Sequence, residues 1–161
     1  MKTKLFLIFL FTVSSLFSQT RLDSLVLVEL NAYRSSLKLE PVSFSKDCFV
    51  ISENHSTELV KTKNVLKHSD NFIGAEVVQV NYNFTIPIDD KDPELVLAKE
   101  IIKGWKNSTE HNRIMTSSKY KFAGVSTKMV SEVRKGSKFD KSIKKFKTVY
   151  IYSYFSTMNF K

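Results

Sequence analysis

Two histidines and one carboxylate carry the main chemical signal in this sequence. His68 stands in Leu66-Lys67-His68-Ser69, Glu76 follows it by eight residues, and His111 ends the run Trp105-Lys106-Asn107-Ser108-Thr109-Glu110-His111. Neutral imidazoles beside a carboxylate can hold a divalent ion, polarise a ligand or pass protons. A zinc hydrolase would take three protein ligands and leave one position open, and His68, Glu76 and His111 could supply the three. Ser108 and His111, three residues apart, could also meet across one helical turn as a nucleophile and its base. Ser108 is equally suited to cap the helix that His111 begins, with its hydroxyl on an orphan amide. His68 and His111 lie 43 residues apart, so only a fold can join them; apart from that they read as surface or capping histidines. The third histidine, His55, lies four residues from both Ile51 and Leu59 on an apolar stripe and reads as a packing residue.

The elements that would have to position these groups follow from periodicity. Leu22, Leu25, Val26, Leu30, Tyr33 and Leu37 recur at three- and four-residue spacing and predict a helix from about Asp23 to Leu37. Pro41 marks a break. Ser45 reads as the cap of a second helix whose stripe is Cys48, Ile51, His55 and Leu59, running to about Lys63. Residues 64–73 read as loop, Gly74 to Val80 as the start of a strand, and the segment through Asp89-Asp90 as loop again. Asp92-Pro93-Glu94, a cap followed by proline at the first helical position, opens a third helix with Leu95, Ala98, Ile102 and Trp105 on its buried face. A short fourth helix is expected from Thr109 to about Met115. Phe122 to Val133 and Thr148 to Phe160, rich in β-branched and aromatic residues, predict an antiparallel pair. Helices first and strands last indicate a compact α+β layered domain.

The 161 residues suit a single domain, and a 42% hydrophobic share with 12% aromatics excludes a disordered polar chain. Lys2 and Lys4 precede an apolar run from Leu5 to Phe17 and then Ser18-Gln19, the pattern of a secretory signal peptide over residues 1–18. The run is shorter than the ~20 residues of a membrane span. Residues 19–161 then form the domain, with 23 basic and 16 acidic residues, so the formal charge of +9 becomes +7. The expected location is secreted or periplasmic. Export and the lack of a recognisable motif argue against a nucleic-acid partner. Cys48 is alone and can form no internal disulfide; it reads as a small buried hydrophobe, with an intermolecular bridge or reactive thiol as the alternative. A monomer is expected.

Several landmarks together resemble the CAP superfamily, which comprises cysteine-rich secretory proteins, insect venom antigens and plant pathogenesis-related proteins. They are Asn31 and Arg34 on the first helix, Leu39-Glu40-Pro41-Val42, His55, the Trp105–Ser108–His111 spacing of bacterial members, Tyr120 with Gly124-Val125, and the aromatic last strand Tyr150 to Phe155. The resemblance covers roughly residues 22–158. It implies a three-layer α-β-α sandwich with a small, mainly antiparallel sheet. It also implies a cleft that carries two histidines and two acids, with His68, Glu76 and His111 in the matching positions. Ser108 stands where many eukaryotic members have the second Glu, and Glu110 lies nearby. Val77 and Ser153 replace an Asn and a Gln common in the family. Members have been linked to sterol and lipid binding, to divalent metal and occasionally to proteolysis. The resemblance therefore implies a ligand-binding module for a lipid, small apolar molecule or envelope glycan, lined by His68, Glu76, Ser108, Glu110 and His111. No cofactor is required, although zinc or another divalent cation could sit on His68, Glu76 and His111. A metal-assisted hydrolase acting on peptide or cell wall in the same cleft is the alternative.

One basic segment stands apart. Arg134, Lys135, Lys138, Lys141, Lys144, Lys145 and Lys147 fall within fourteen residues, against one acid, Asp140. Phe139, Ile143 and Phe146 interleave them at helical spacing in what reads as a loop at about 134–147 between the last two strands. One reading is an insertion whose Lys138, Lys141, Lys144 and Lys145 meet an anionic envelope surface, which would make this an adhesion protein. The other is a solvated connection whose lysines discourage edge-to-edge association.

Overall fold

The computed structural model describes residues 19–62, 66–87 and 90–161; the proposed signal peptide, residues 1–18, lies outside them. The first helix, α1 (Arg21–Ser36), begins with a capping box in which the Thr20 hydroxyl accepts from Asp23 N–H and the Asp23 carboxylate accepts from Thr20 N–H. Asp23, expected to open the helix, is therefore its third residue. The far end closes in a Schellman turn, with Leu39 N–H on Arg34 C=O and Lys38 N–H on Ser35 C=O. Two polar residues of α1 then anchor the chain beyond it. The Asn31 amide both donates to and accepts from the Val42 backbone at 2.9 Å. This holds a two-residue strand, β1 (Ser43–Phe44), that periodicity does not predict. Buried Arg34 donates to Glu40 C=O at 2.8 Å, Met115 C=O at 2.7 Å and Ser117 C=O at 3.0 Å.

Ser45 caps α2 (Lys46–Thr62), accepting from Cys48 N–H at 3.4 Å. Cys48 is fully buried, as a small hydrophobe would be, and burial pushes its thiol up. After β2 (Ala75–Pro87) come α3 (Pro93–Lys106), capped by Asp92 on Leu95 N–H, and α4 (Thr109–Met115). The buried face of α3 is Leu97, Ala98, Ile101, Ile102 and Trp105; Leu95, expected there, is only half-buried. The chain closes with β3 (Phe122–Asp140) and β4 (Lys145–Phe160). The sheet order is β1-β3-β4-β2, with β1 parallel to β3 and β4 antiparallel to both of its neighbours.

Alternation along the strands sends side chains to opposite faces. Tyr154, Met158 and Phe160 of β4 join Leu22, Val26, Leu30, Leu97, Ile101 and Trp105 in the main core, under α1, α3 and α4. On the other face Phe155 packs with Leu59 of α2 and Val78. Gly124 of β3 lets α2 approach, since a Cβ there would run into the Phe49 backbone nitrogen. The result is the expected α+β, three-layer α-β-α sandwich with a small, mainly antiparallel sheet.

Two segments expected to be loop are strand. β2 continues past Val80 to Pro87, paired with β4 as far as Val149 after a register shift between Asn81 and Phe84. The basic segment is a hairpin, with β3 and β4 paired out to Asp140 and Lys145 around the turn Lys141–Lys144. Phe139 and Phe146 do not share a helical face; they are cross-strand partners with ring centroids 5.2 Å apart.

Candidate functional site

Glu76 is the second residue of β2, an edge strand, directly across from Asn159 of β4. Its side chain is fully buried, although an unpaired carboxylate is costly to remove from water. Four donors compensate it. His55 Nδ1 of α2 donates to Oε1 at 2.9 Å, and Asn159 Nδ2 reaches the same oxygen at 3.3 Å. Oε2 receives His68 Nδ1 at 3.1 Å and the Ser69 backbone N–H at 2.8 Å. A carboxylate only accepts, so both imidazoles carry a proton on Nδ1. Burial works to raise the Glu76 pKa, but the bonds from His55, Ser69 and His68, with the charge of His55, outweigh it and hold the carboxyl below its ordinary range.

Ser52 of α2 completes the inner end. Its hydroxyl donates to Gly124 C=O at 2.7 Å and accepts from Asn159 N at 3.1 Å and Nδ2 at 3.0 Å. The network thus runs from α2 through the sheet to the surface. At the inner end His55 is buried, and its Nε2 has no protein partner among the described residues. At the outer end the His68 side chain is 56% exposed. With Nδ1 committed to Glu76, Nε2 is the atom that His68 can offer to a ligand.

His111 on α4 stands beside that outer end, its ring 6.4 Å from the His68 ring and nearly perpendicular to it. The Arg34 bonds to Met115 and Ser117, together with Tyr33 OH donating to Asn112 Oδ1 at 2.9 Å, fix α4 there. Burial lowers the His111 pKa, and the nearby His68 lowers it further; Glu110 opposes both. This favours the neutral ring, the form that ligates or takes up a proton.

His68, Glu76 and His111 therefore come together, while the other two expected residues stand differently. Glu110 is exposed and paired with Arg113 at 2.9 Å. Ser108 occupies the N-cap position of α4 and its C=O accepts from Asn112 N–H, yet its hydroxyl makes no capping bond, contrary to expectation. No group of three or more His, Cys, Asp or Glu among the described residues is placed to hold a metal ion. Glu76 aims both oxygens at imidazole Nδ1 atoms, which makes it an orienting group for His68 rather than a third donor.

His55 does more than the packing that its apolar stripe implies. It is buried as that reading requires, but it also shares Glu76 with His68. A signal for it exists in the sequence: a glutamate at the head of a β-branched strand needs buried donors, and an imidazole on the stripe facing that strand is one. A small apolar crevice of about 50 Å³, lined by Ile86, Pro93, Glu94, Leu97, Met129 and Tyr152, lies near the opposite end of β2. It is far below the ~300 Å³ of an ordinary ligand pocket.

A family model described as CAP, the cysteine-rich secretory protein family, matches residues 27–155. Solved structures to which the chain is similar include an outer surface protein from Borrelia burgdorferi, 11% identical with a TM-score of 0.48, covering 89% of this chain and 96% of that one. Another is a cysteine-rich secretory protein from Staphylococcus aureus, 17% identical with a TM-score of 0.43, covering 86% of this chain and 38% of that one. This chain thus spans well under half the length of the staphylococcal protein. A search of curated proteins gives no match.

Proposed function

This chain belongs to the CAP family of cysteine-rich secretory proteins, and from that premise we propose that it is an exported ligand-binding module whose site is the His68–His111 pair backed by Glu76. The observation that carries this reading is the placement of a fully buried carboxylate with one oxygen on an exposed histidine. Burial of Glu76 supplies a fixed acceptor, which sets the tautomer of His68 and turns Nε2 toward the surface beside His111. Two imidazoles so arranged suit a polar headgroup, a glycan oxygen or a divalent cation. Zinc, when bound, would supply a Lewis acid held by His68 and His111, with Glu76 orienting His68. Ser108 and Glu110 are peripheral in this reading.

The test is perturbation of backbone and imidazole NMR signals by zinc, a long-chain fatty acid and soluble peptidoglycan fragments. Shifts centred on His68 and His111 that vanish in His68→Ala/His111→Ala are expected. A ligand that binds that double variant unchanged would remove the assignment.

A second reading, metal-assisted hydrolysis of peptide or cell wall, draws on the same Glu76–His68 pair, because a carboxylate-held imidazole is well placed as a general base. It predicts turnover on peptide, ester or peptidoglycan substrates with added zinc. No turnover on any of the three would leave binding as the function of the site.

A further inference from the structure

The geometry points to a second functional surface: the tip of the β3–β4 hairpin docks on an anionic phospholipid bilayer. β2 pairs with β4 only as far as Val149, so beyond that residue β3 and β4 form a two-stranded ribbon, with no third strand beside it among the described residues. A ribbon of this kind is marginal unless its side chains hold it together. Phe139 and Phe146 do so, facing each other across the strands with an interplanar angle of 64°. Yet the pair is not buried: Phe146 is 72% exposed, Phe139 48%, and Ile143 in the turn 49%. None of the three belongs to either core cluster.

Around this apolar tip stand Lys138, Lys141, Lys144 and Lys145, all exposed, against one acid, Asp140. That acid accepts Ser142 N–H at 2.9 Å and the Ser142 hydroxyl at 2.5 Å, and so shapes the turn. Lys138 rests on Thr85 Oγ1 at 3.2 Å. The side chains therefore divide into an apolar point and a cationic collar. An anionic bilayer matches both parts, with phosphate groups for the lysines and an acyl boundary for the rings and Ile143. An acidic glycan would match the collar and can stack a sugar face on a phenyl ring, but it has no apolar interior to take up Ile143. A solvated connection needs the lysines but not three exposed hydrophobic residues between them.

The experiment is co-sedimentation of the mature chain with vesicles of phosphatidylcholine alone and of phosphatidylcholine with phosphatidylglycerol. Binding to the anionic vesicles only is expected, weakened by salt. Replacing Lys141, Lys144 and Lys145 by Gln should weaken it about a hundredfold. Phe139→Ser/Ile143→Ser/Phe146→Ser should weaken it more than tenfold while leaving the salt dependence in place. Because the tip lies outside both cores, these variants should keep the wild-type melting temperature of the domain by circular dichroism. Ile143→Ser alone, which leaves the Phe139–Phe146 pair that holds the ribbon, should still weaken binding. A Phe146→Trp reporter should shift its emission to the blue and be quenched by brominated lipid. Equal binding by the serine variant, an unshifted Trp, or Phe-dependent self-association without lipid would each overturn the proposal. So would binding to an acidic polysaccharide that is as tight as binding to lipid and does not depend on the phenylalanines.

Discussion

Two carboxylates are buried among the described residues, and they are served in opposite ways. Asp23 on α1 is held by neutral groups: Thr20 N–H at 3.2 Å, the Thr20 hydroxyl at 2.7 Å and Thr127 N–H of β3 at 2.7 Å. Burial dominates there, and its pKa is raised despite those bonds and the nearby charge of Lys128. Glu76 is held by two imidazoles as well as neutral N–H groups, and its pKa is lowered despite equally complete burial. Asp23 joins a helix start to a strand, and its partners all belong to the frame. The partners of Glu76 extend from the core, at His55, to the surface, at His68. A buried acid whose hydrogen-bond partners are all fixed and neutral acts as a structural pin. One whose bonds lead outward through a titratable ring extends its influence to the surface.

Removing Glu76 should have the largest effect. Glu76→Leu strands the His55 Nδ1 donor and the Ser69 amide, and a loss of about 3–5 kcal/mol is expected in urea unfolding. Asp23→Ala should cost less, about 2–3 kcal/mol, because it removes one cap and one acceptor for Thr127 N–H. If the order were reversed, Asp23 would be the more deeply coupled acid and the contrast would fail.

The two acids are not equally legible in the sequence. The resemblance to the CAP family marks Glu76 beside His68 and His111, whereas Asp23 looks like an ordinary helix start. Its bond to Thr127 spans 104 residues, and no local pattern records such a contact. His55 shows the same limit: periodicity places it correctly in the core, but its partner lies on a strand whose register depends on β4. Helices are legible almost to the residue because caps such as Ser45 and Asp92 are local chemistry. The second half of β2, with Asn81 and Pro87, and the Lys-rich end of the hairpin look like turns. Pairing with β4 makes them strands.

Acid should separate the two carboxylates by sign. The folded Glu76 pKa lies below its ordinary 4.5, so its stabilisation is complete above that pH and is lost as pH falls through the folded value. For Asp23 the folded pKa lies above its ordinary 3.8, so protonation favours the folded state and its contribution improves as pH falls through the folded value toward 3.8. Measured from pH 5 downward, the stability cost of Glu76→Gln should therefore shrink, whereas that of Asp23→Asn should grow. Parallel trends in the two variants would mean that the histidines do not set the Glu76 carboxyl apart.

The smallest stability effect should fall on the outermost partner of Glu76. His68 is more than half exposed and makes one side-chain bond to the carboxylate, while Ser69 N–H continues to serve the same oxygen. His68→Asn should therefore change unfolding free energy by no more than about 0.5 kcal/mol. The corresponding outer partner of Asp23 is Thr20, whose hydroxyl closes α1, and Thr20→Ala should cost about 1 kcal/mol. A residue that folding barely uses, yet that takes its orientation from a buried charge, is what the proposed binding site requires of His68. His68→Asn should accordingly abolish zinc- or ligand-induced shifts at His111 while leaving the unfolding curve nearly superimposable on wild type. Loss of stability comparable to the Thr20 variant would place His68 in the frame with Asp23 instead.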